Sequence, residues 1–403
     1  MCPSLTNTTS HTNPTSPREI RVALIGTGII AHTHARDYAQ IPGVTIVAAC
    51  DLNQAKLDAF CRQYNIPHQY LDYRRLLERD DIEVVDVCLH NNLHAPISVA
   101  VMAAGKHCYC EKPMAGAYTD ALAMYNAARH YGRRLHIQLG MIYGGQTHAA
   151  RTLIANGRLG RIYHARSYGY RRRGRPYDDG YAEKEFDSTH WAGHGALYDM
   201  GVYHISRLLH LLGRPQLQSV SGAVYQELAM DPERRAESGF DVEELGVGFA
   251  KYENGLTLDI LESWAVHAAA FPPSVIYGSA GGIEISADGR LGYYSELDGY
   301  MTETTLDVAG KDYRDLRFDP HRRCYENSQA HFIAALRGEC QAIDTAGLAL
   351  DTMLVSEGIF LSSQLGREIT AAEIPELSRS LAIREQETPF GTLIYPPWPF
   401  IAE

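Results

Sequence analysis

Long apolar runs are missing from this sequence. None is extended enough to cross a bilayer, which excludes a helical membrane protein. Paired Cys-x-x-Cys spacing is absent as well. The eight cysteines are scattered, and although Cys108 and Cys110 alternate within one predicted strand, two thiols do not make a zinc site. They read as buried free thiols of a cytoplasmic protein, and nothing in the sequence requires a metal. An excess of basic charge is lacking too. The formal net charge of −11 argues against nucleic acid as the partner. Residues 1–18, rich in Ser, Thr, Asn and Pro, have no apolar core of a signal peptide and read as a disordered tail. No internal repeat is present.

What is present is the composition of an ordinary globular protein, 45% hydrophobic and 21% charged over 403 residues, enough chain for two domains. Glu19 to Ile25 ends in the apolar run VALI, the pattern of a buried parallel strand. GTGIIA follows at Gly26 to Ala31 and opens a helical pattern. Strand, glycine turn and helix in this order form a dinucleotide-binding fingerprint. Gly26 permits the tight turn, Gly28 lets backbone approach a pyrophosphate, and Ala31 replaces the third glycine. A second strand, Val44 to Cys50, ends at Asp51, where a ribose-binding carboxylate belongs. Leu52 and Asn53 offer no cation for a 2′-phosphate, which favours NAD over NADP. Asp51 also reads as a helix cap for Gln54 to Tyr64. Alternating strands and helices continue to residue 140, so a doubly wound parallel sheet is expected over 19–140.

Beyond residue 140 strand patterns dominate, above all from Gln218 to Leu306. They predict an α+β domain over 141–377 with a large, open, mostly antiparallel sheet. Two helices, Glu326 to Arg337 and Thr345 to Leu365, are expected after it. Residues 378–403 form an extension rich in Pro and aromatics, expected to pack on a neighbouring subunit. A long polar stretch before Gly195 carries Arg171, Arg172, Arg173, Arg175, Tyr177, Tyr181 and Trp191. It reads either as a substrate-facing loop or as a solvated basic surface. If it faces substrate, arginine forks suit an anionic sugar.

Between these parts lies GKHCYCEKPMAG, Gly105 to Gly116. A short strand leads into Glu111-Lys112-Pro113, and the proline ring disfavours helix at the preceding residue. Lys112 is thus expected at the carboxyl end of a strand, where such sheets bind ligands, able to hold a substrate oxygen or relay a proton.

The ordered set GTGIIAHTH, Cys50-Asp51, Asn91 to His94, AGKHCYCEKP and GHGALYDMGVYHISRLLHLLG resembles the Gfo/Idh/MocA oxidoreductases, the glucose–fructose oxidoreductase and inositol dehydrogenase group. The resemblance runs from about residue 19 to about residue 375. It implies a Rossmann domain, an α+β domain whose sheet mediates oligomerisation as a dimer or tetramer, and NAD-dependent hydride transfer to or from a sugar or polyol. Lys112 matches the family's lysine and Asp199 its acid. The family's catalytic histidine position is occupied by Tyr203, with His204 one residue later. Residues i and i+4 share a helix face, so Asp199 aligns with Tyr203, and Lys112 is expected to lower the tyrosine's pKa. His204 reads as either helix packing or chemistry. Two further departures, His90 and His194, are expected near nicotinamide or substrate. These readings assign Gly26, Gly28, Ile29, Ile30, Asp51, His90, Asn91, His94, Glu111 and Lys112 to the cofactor. Substrate contacts are expected from Arg171, Arg173, Trp191, His194, Asp199 and Tyr203. A redox-assisted glycoside hydrolase, or a nucleotide-binding sensor without activity, are the alternative functions.

Overall fold

The computed structural model describes residues 17–171, 184–268 and 272–395. Six parallel strands come first: β1 (Ile20–Ile25), β2 (Val44–Cys50), β3 (His68–Tyr70), β4 (Val84–Val87), β5 (His107–Cys110) and β6 (Leu135–Ile137). Their order in the sheet is β3-β2-β1-β4-β5-β6, the doubly wound arrangement whose ligands lie beyond the carboxyl ends of the strands. The apolar run in β1 is continuous because both faces are covered. Ile20, Val22 and Leu24 pack with Ala31, Ala35, Tyr38 and Phe60, whereas Ala23 and Ile25 join the larger core on the opposite face.

The connecting helices are α1 (Ile29–Ala39), α2 (Gln54–Tyr64), α3 (Tyr73–Leu77), α4 (Asn91–Ala103) and α5 (Tyr118–His130). Then come α6 (Gly145–Ala155), the short α7 (Thr189–Ala192) and α8 (Ala196–Leu211). Helix α8 lies on a nine-stranded sheet built from β7 (Ile162–Tyr170), β8 (Leu217–Tyr225), β9 (Leu245–Tyr252), β10 (Thr257–Ser263), β11 (Ser274–Gly278), β12 (Gly282–Ile285), β13 (Leu291–Leu297), β14 (Tyr300–Leu306) and β15 (Ile369–Thr370). The order is β14-β13-β12-β11-β7-β10-β9-β8-β15. Pairing is antiparallel except between β7 and β10, which run parallel. The sequence patterns foretold this sheet but not the helices Pro232–Ser238 and Val308–Phe318. Neither buries any residue, so neither is a core-facing helix. The helix expected from Glu326 begins instead at Ser328, where Asn327 caps it. No helix among the described residues is long and apolar enough to cross a membrane.

The C-terminal extension makes contacts within its own chain, and its residues 396–403 lie outside the described residues. Its described part, 378–395, packs on the Rossmann domain of its own chain. Asp120 at the start of α5 accepts the backbone N–H groups of Leu381 and Ala382 at 2.9 and 3.1 Å. Ile383 donates to the Asn92 carbonyl at the start of α4 at 3.0 Å. A hairpin, β16 (Glu385–Thr388) with β17 (Gly391–Ile394), follows. Tyr395 then stacks on Tyr73 at the start of α3 with ring centroids 6.0 Å apart. All three helices begin at the carboxyl edge of the parallel sheet, so the extension runs along that edge.

Candidate active site

Strand β5 ends where expected and delivers Lys112, whose bond to Pro113 is cis. The ammonium donates to Asp199 Oδ1 at 2.7 Å, with the two side chains 11% and 5% exposed. Indole Nε1 of Trp264, just past β10, donates to Asp199 Oδ2 at 2.9 Å. Both carboxylate oxygens are thus engaged by protein groups, so Asp199 orients Lys112. The ammonium also lies over the Tyr203 ring, 4.5 Å from its centroid, a favourable cation–π placement. Burial works against the Lys112 charge, but Asp199, Tyr203 and Glu111 outweigh it and hold the ammonium well above the ordinary lysine range. Lys112 is therefore a charged hydrogen-bond donor in this state.

Glu111 is buried, and both its oxygens are also used. Oε2 accepts the Lys112 backbone N–H at 2.9 Å, and Oε1 meets His34 Nε2 at 2.9 Å. His34 is completely buried and its Nδ1 lies 2.9 Å from Asp86 Oδ2. Burial disfavours the imidazolium, yet Asp86 raises the His34 pKa well above its usual value. Burial pushes Glu111 up, but His34 and Lys112 bring it below the usual carboxylate range. The result is a closed carboxylate–imidazolium–carboxylate array under the backbone of Lys112. Cys88 Sγ is 3.4 Å from His34 Nδ1, and His34, Asp86 and Cys88 bring three ligand-type atoms within 4.8 Å of one another. Because both ring nitrogens already face carboxylates, hydrogen bonding accounts for the cluster.

Helix α8 turns Tyr203 and His204 to different neighbours. Asp199 and Tyr203 share the face turned to Lys112. His204 turns to the sheet, where its Nδ1 is 2.9 Å from Glu262 Oε2, and Ser167 donates to the other oxygen at 2.9 Å. A Cβ on Gly169 would lie 2.0 Å from His204 Cε1, so that close approach requires glycine. The His204 ring is held beneath α8 by Glu262, away from the face that carries Asp199 and Tyr203. Lys112 lowers the Tyr203 pKa as expected, but it is not the largest influence. Burial raises it more than Lys112 lowers it, so the phenol keeps its proton. The start of α8 is held by Glu243, whose oxygens accept the N–H groups of Gly195 and Leu197 at 2.8 and 3.0 Å. Burial pushes this carboxyl up to about 7.

At the cofactor end, Gly26 has φ +94°, and a Cβ there would lie 2.2 Å from the Cys88 carbonyl oxygen. Gly28 precedes α1, and a Cβ on it would meet nothing within 4 Å. Ile29 is 70% exposed beside it and Ile30 is 37% exposed. An open backbone cradle at a helix N-terminus, flanked by uncovered apolar side chains, fits a dinucleotide pyrophosphate. Asp51 Oδ2 accepts from Thr27 N and Thr27 Oγ1, both at 2.8 Å, and Oδ1 from Asn53 N at 2.9 Å. Capping of α2 falls to Asn53, which accepts from Lys56 N.

Several residues expected on cofactor or substrate have protein partners in this structure. The ring nitrogens of His94 lie 2.8 Å from the Pro113 carbonyl and 3.0 Å from that of Leu89, fastening the lysine turn to the end of β4. Asn91 donates to Ala192 O at 2.9 Å, tying the turn before α8 to α4. His194 stacks on Tyr198 and meets Phe360 edge-on, both at 4.2 Å, and burial lowers its pKa to about 3. It is a neutral packing residue. His90 keeps company with Trp191, ring centroids 5.6 Å apart, at the mouth of α4. Arg171 extends β7 with its N–H on Ser263 O at 3.1 Å, beside the strand end that bears Trp264. Arg172, Arg173, Arg175, Tyr177 and Tyr181 lie outside the described residues. Trp264, His34, Asp86 and Glu243 escaped the sequence reading. Of these only His34 had a signal, its place in GTGIIAHTH.

Residues 20–139 match the GFO_IDH_MocA family, described as an oxidoreductase family with an NAD-binding Rossmann fold. Residues 147–284 match the GFO/IDH/MocA C-terminal domain. The D-glucoside 3-dehydrogenase of Escherichia coli is 28% identical over 254 residues, covering 62% of this chain and 71% of that protein. The inositol 2-dehydrogenase of Salmonella typhimurium is 31% identical over 155 residues, covering 37% of this chain and 46% of that protein, less than half its length. In fold, the chain is similar to levoglucosan dehydrogenase solved with NADH, at a TM-score of 0.76 and 19% identity, covering 88% of this chain and 99% of the other. With both family domains matched in order on a lysine-bearing Rossmann sheet, this chain belongs to the GFO/IDH/MocA oxidoreductases and carries their NAD-binding domain.

Proposed function

We propose that the protein is an NAD-dependent dehydrogenase acting on a CH–OH group of a sugar, polyol or sugar derivative. The observation that carries this reading is the Lys112–Asp199–Trp264 chain at the end of β5, with the Tyr203 ring under the ammonium. NAD, when bound, supplies the hydride acceptor. The chain's own residues manage the oxygen. Lys112 and Tyr203 are two donors in one buried corner, suited to a carbonyl oxygen or a developing alkoxide. In the reducing direction Lys112 gives its proton to that oxygen. In the oxidising direction it must first release a proton to solvent and then accept the hydroxyl's. Vicinal hydroxyls call for several polar groups in one pocket. The relatives' names, a glucoside and an inositol dehydrogenase, point to the same substrate class.

The Asp51 carboxylate beside the glycine turn supports preference for NAD over NADP. Buried cysteines with no disulfide among the described residues fit a reducing cytoplasm. Half-exposed Phe249 beside His164, which in turn stacks on Tyr277, supports homo-oligomerisation through this sheet, as dimer or tetramer. The deciding experiment screens free sugars, sugar acids, polyols and aryl glycosides with NAD. Net NADH with a free sugar or polyol supports the dehydrogenase. Glycoside cleavage without net NADH replaces it with a redox-assisted hydrolase, and inertness toward all of them leaves a nucleotide-binding sensor.

A further inference from the structure

A cavity of about 530 Å³ opens one residue past Asp51, within the size range that takes small ligands. One wall is Rossmann: Leu52 after β2, Leu71 after β3 and Arg74 on α3. The other wall is the C-terminal hairpin, through Phe390 and Thr392. Asp51 N donates to the Tyr70 carbonyl at 3.2 Å, so the Asp51 backbone is joined to the strand that borders the cavity. Phe390 lines the cavity together with Leu52 and is 58% exposed, so its ring is not covered by the protein's own core. The chain leading into the hairpin is fastened at the start of α5 by Asp120 and at the start of α4 by Asn92 O. The chain leaving it is fastened at the start of α3 by Tyr73. The hairpin itself, between these anchors, spans the edge on which a dinucleotide lies.

We propose that this hairpin is a strap over the adenosine half of NAD, with Phe390 the stacking platform for the adenine ring. The assignment rests on the NAD-dependent reading above and adds a binding element contributed by the far C-terminal end of the same chain. A purine has two π-faces and a rim of nitrogens. An aromatic ring in the wall across from Leu52, with the Arg74 guanidinium held by Asp72 at 2.7 Å alongside, offers apolar and polar groups together for such a ring. Because the strap is anchored on both sides of β16–β17, it holds the adenosine end without touching the Lys112 corner.

The test titrates the full-length protein and its Phe390→Ala variant with NADH, ADP-ribose and reduced nicotinamide mononucleotide. The side chain is largely exposed, so its removal leaves the core untouched. NADH and ADP-ribose are expected to bind at least about five-fold more weakly to the variant, the lower bound for loss of base–aromatic stacking. The mononucleotide, which lacks adenosine, is expected to be unaffected. In the unaltered protein, amide exchange over residues 385–394 should slow with ADP-ribose and not with the mononucleotide. An NADH affinity within about two-fold of the parent, or hairpin exchange indifferent to ADP-ribose, overturns the strap. Failure of the unaltered protein to bind either NADH or ADP-ribose refutes the NAD reading itself and the strap with it.

Discussion

Trp264 donates its indole N–H to Asp199 at 2.9 Å, on the carboxylate oxygen that Lys112 does not take. The two residues are 65 positions apart, one closing β10 and the other in the first turn of α8. The indole fixes the carboxylate plane, and the carboxylate fixes the ammonium. Trp264→Phe keeps the ring and removes the donor. Turnover is expected to fall roughly 10- to 100-fold, the worth of one hydrogen bond to a charged group, while NAD affinity stays unchanged. Steady-state kinetics with a parallel NADH titration checks this, and an equal loss in both would mean general damage to the fold.

Lys112→Ala should lower turnover by roughly 10²–10⁴ with NAD still bound, because its contact with the reacting oxygen strengthens in the transition state. Tyr203→Phe should cost roughly ten-fold. His204→Asn should instead lower stability, since it strips Glu262 of its buried partner. Turnover per folded molecule, set against thermal unfolding for the three variants, separates these roles. Normal stability with abolished turnover in His204→Asn would return that residue to the chemistry.

The oxidation rate should rise with pH, because Lys112 must lose a proton that its neighbours hold well above the ordinary lysine range. Asp199 is the largest of the contributions that raise it, with burial acting the other way. Replacing that charge in Asp199→Asn lowers the Lys112 pKa, so the midpoint of the pH–rate profile should move to lower pH even as the maximal rate falls. A profile unchanged in position would remove Lys112 from the titration.

Glu243 gives a stability effect of opposite habit to most carboxylates. Its folded pKa, raised by burial from 4.5 to about 7, exceeds its unfolded value. The native state therefore holds an extra proton between those limits. Stability is greatest below about pH 4.5 as far as this group is concerned, and declines as pH rises through about 7, by about 3 kcal/mol in all. Glu243→Gln should flatten that slope in urea unfolding measured across the window. An unchanged slope would assign it to other groups.

Much of the first domain was legible in the amino-acid order, because local rules write it. A buried parallel strand needs a continuous apolar run, a tight strand-to-helix turn needs Gly26 at positive φ, and helical repeat alone puts Asp199 and Tyr203 on one face. The same repeat turns His204 toward the sheet, where it meets Glu262. What tertiary structure alone decided are pairings between distant segments. Trp264 on Asp199, His34 between Asp86 and Glu111, and Glu243 under the first turn of α8 join residues separated by 46 to 77 positions. Buried donors and acceptors must find partners wherever packing brings them, and that demand leaves no periodic trace along the chain. The extension obeyed the same logic. Its Pro and aromatic content showed that it would pack, but only Asp120, the Asn92 carbonyl and Tyr73, waiting at three helix starts, determined that it packs on its own Rossmann sheet.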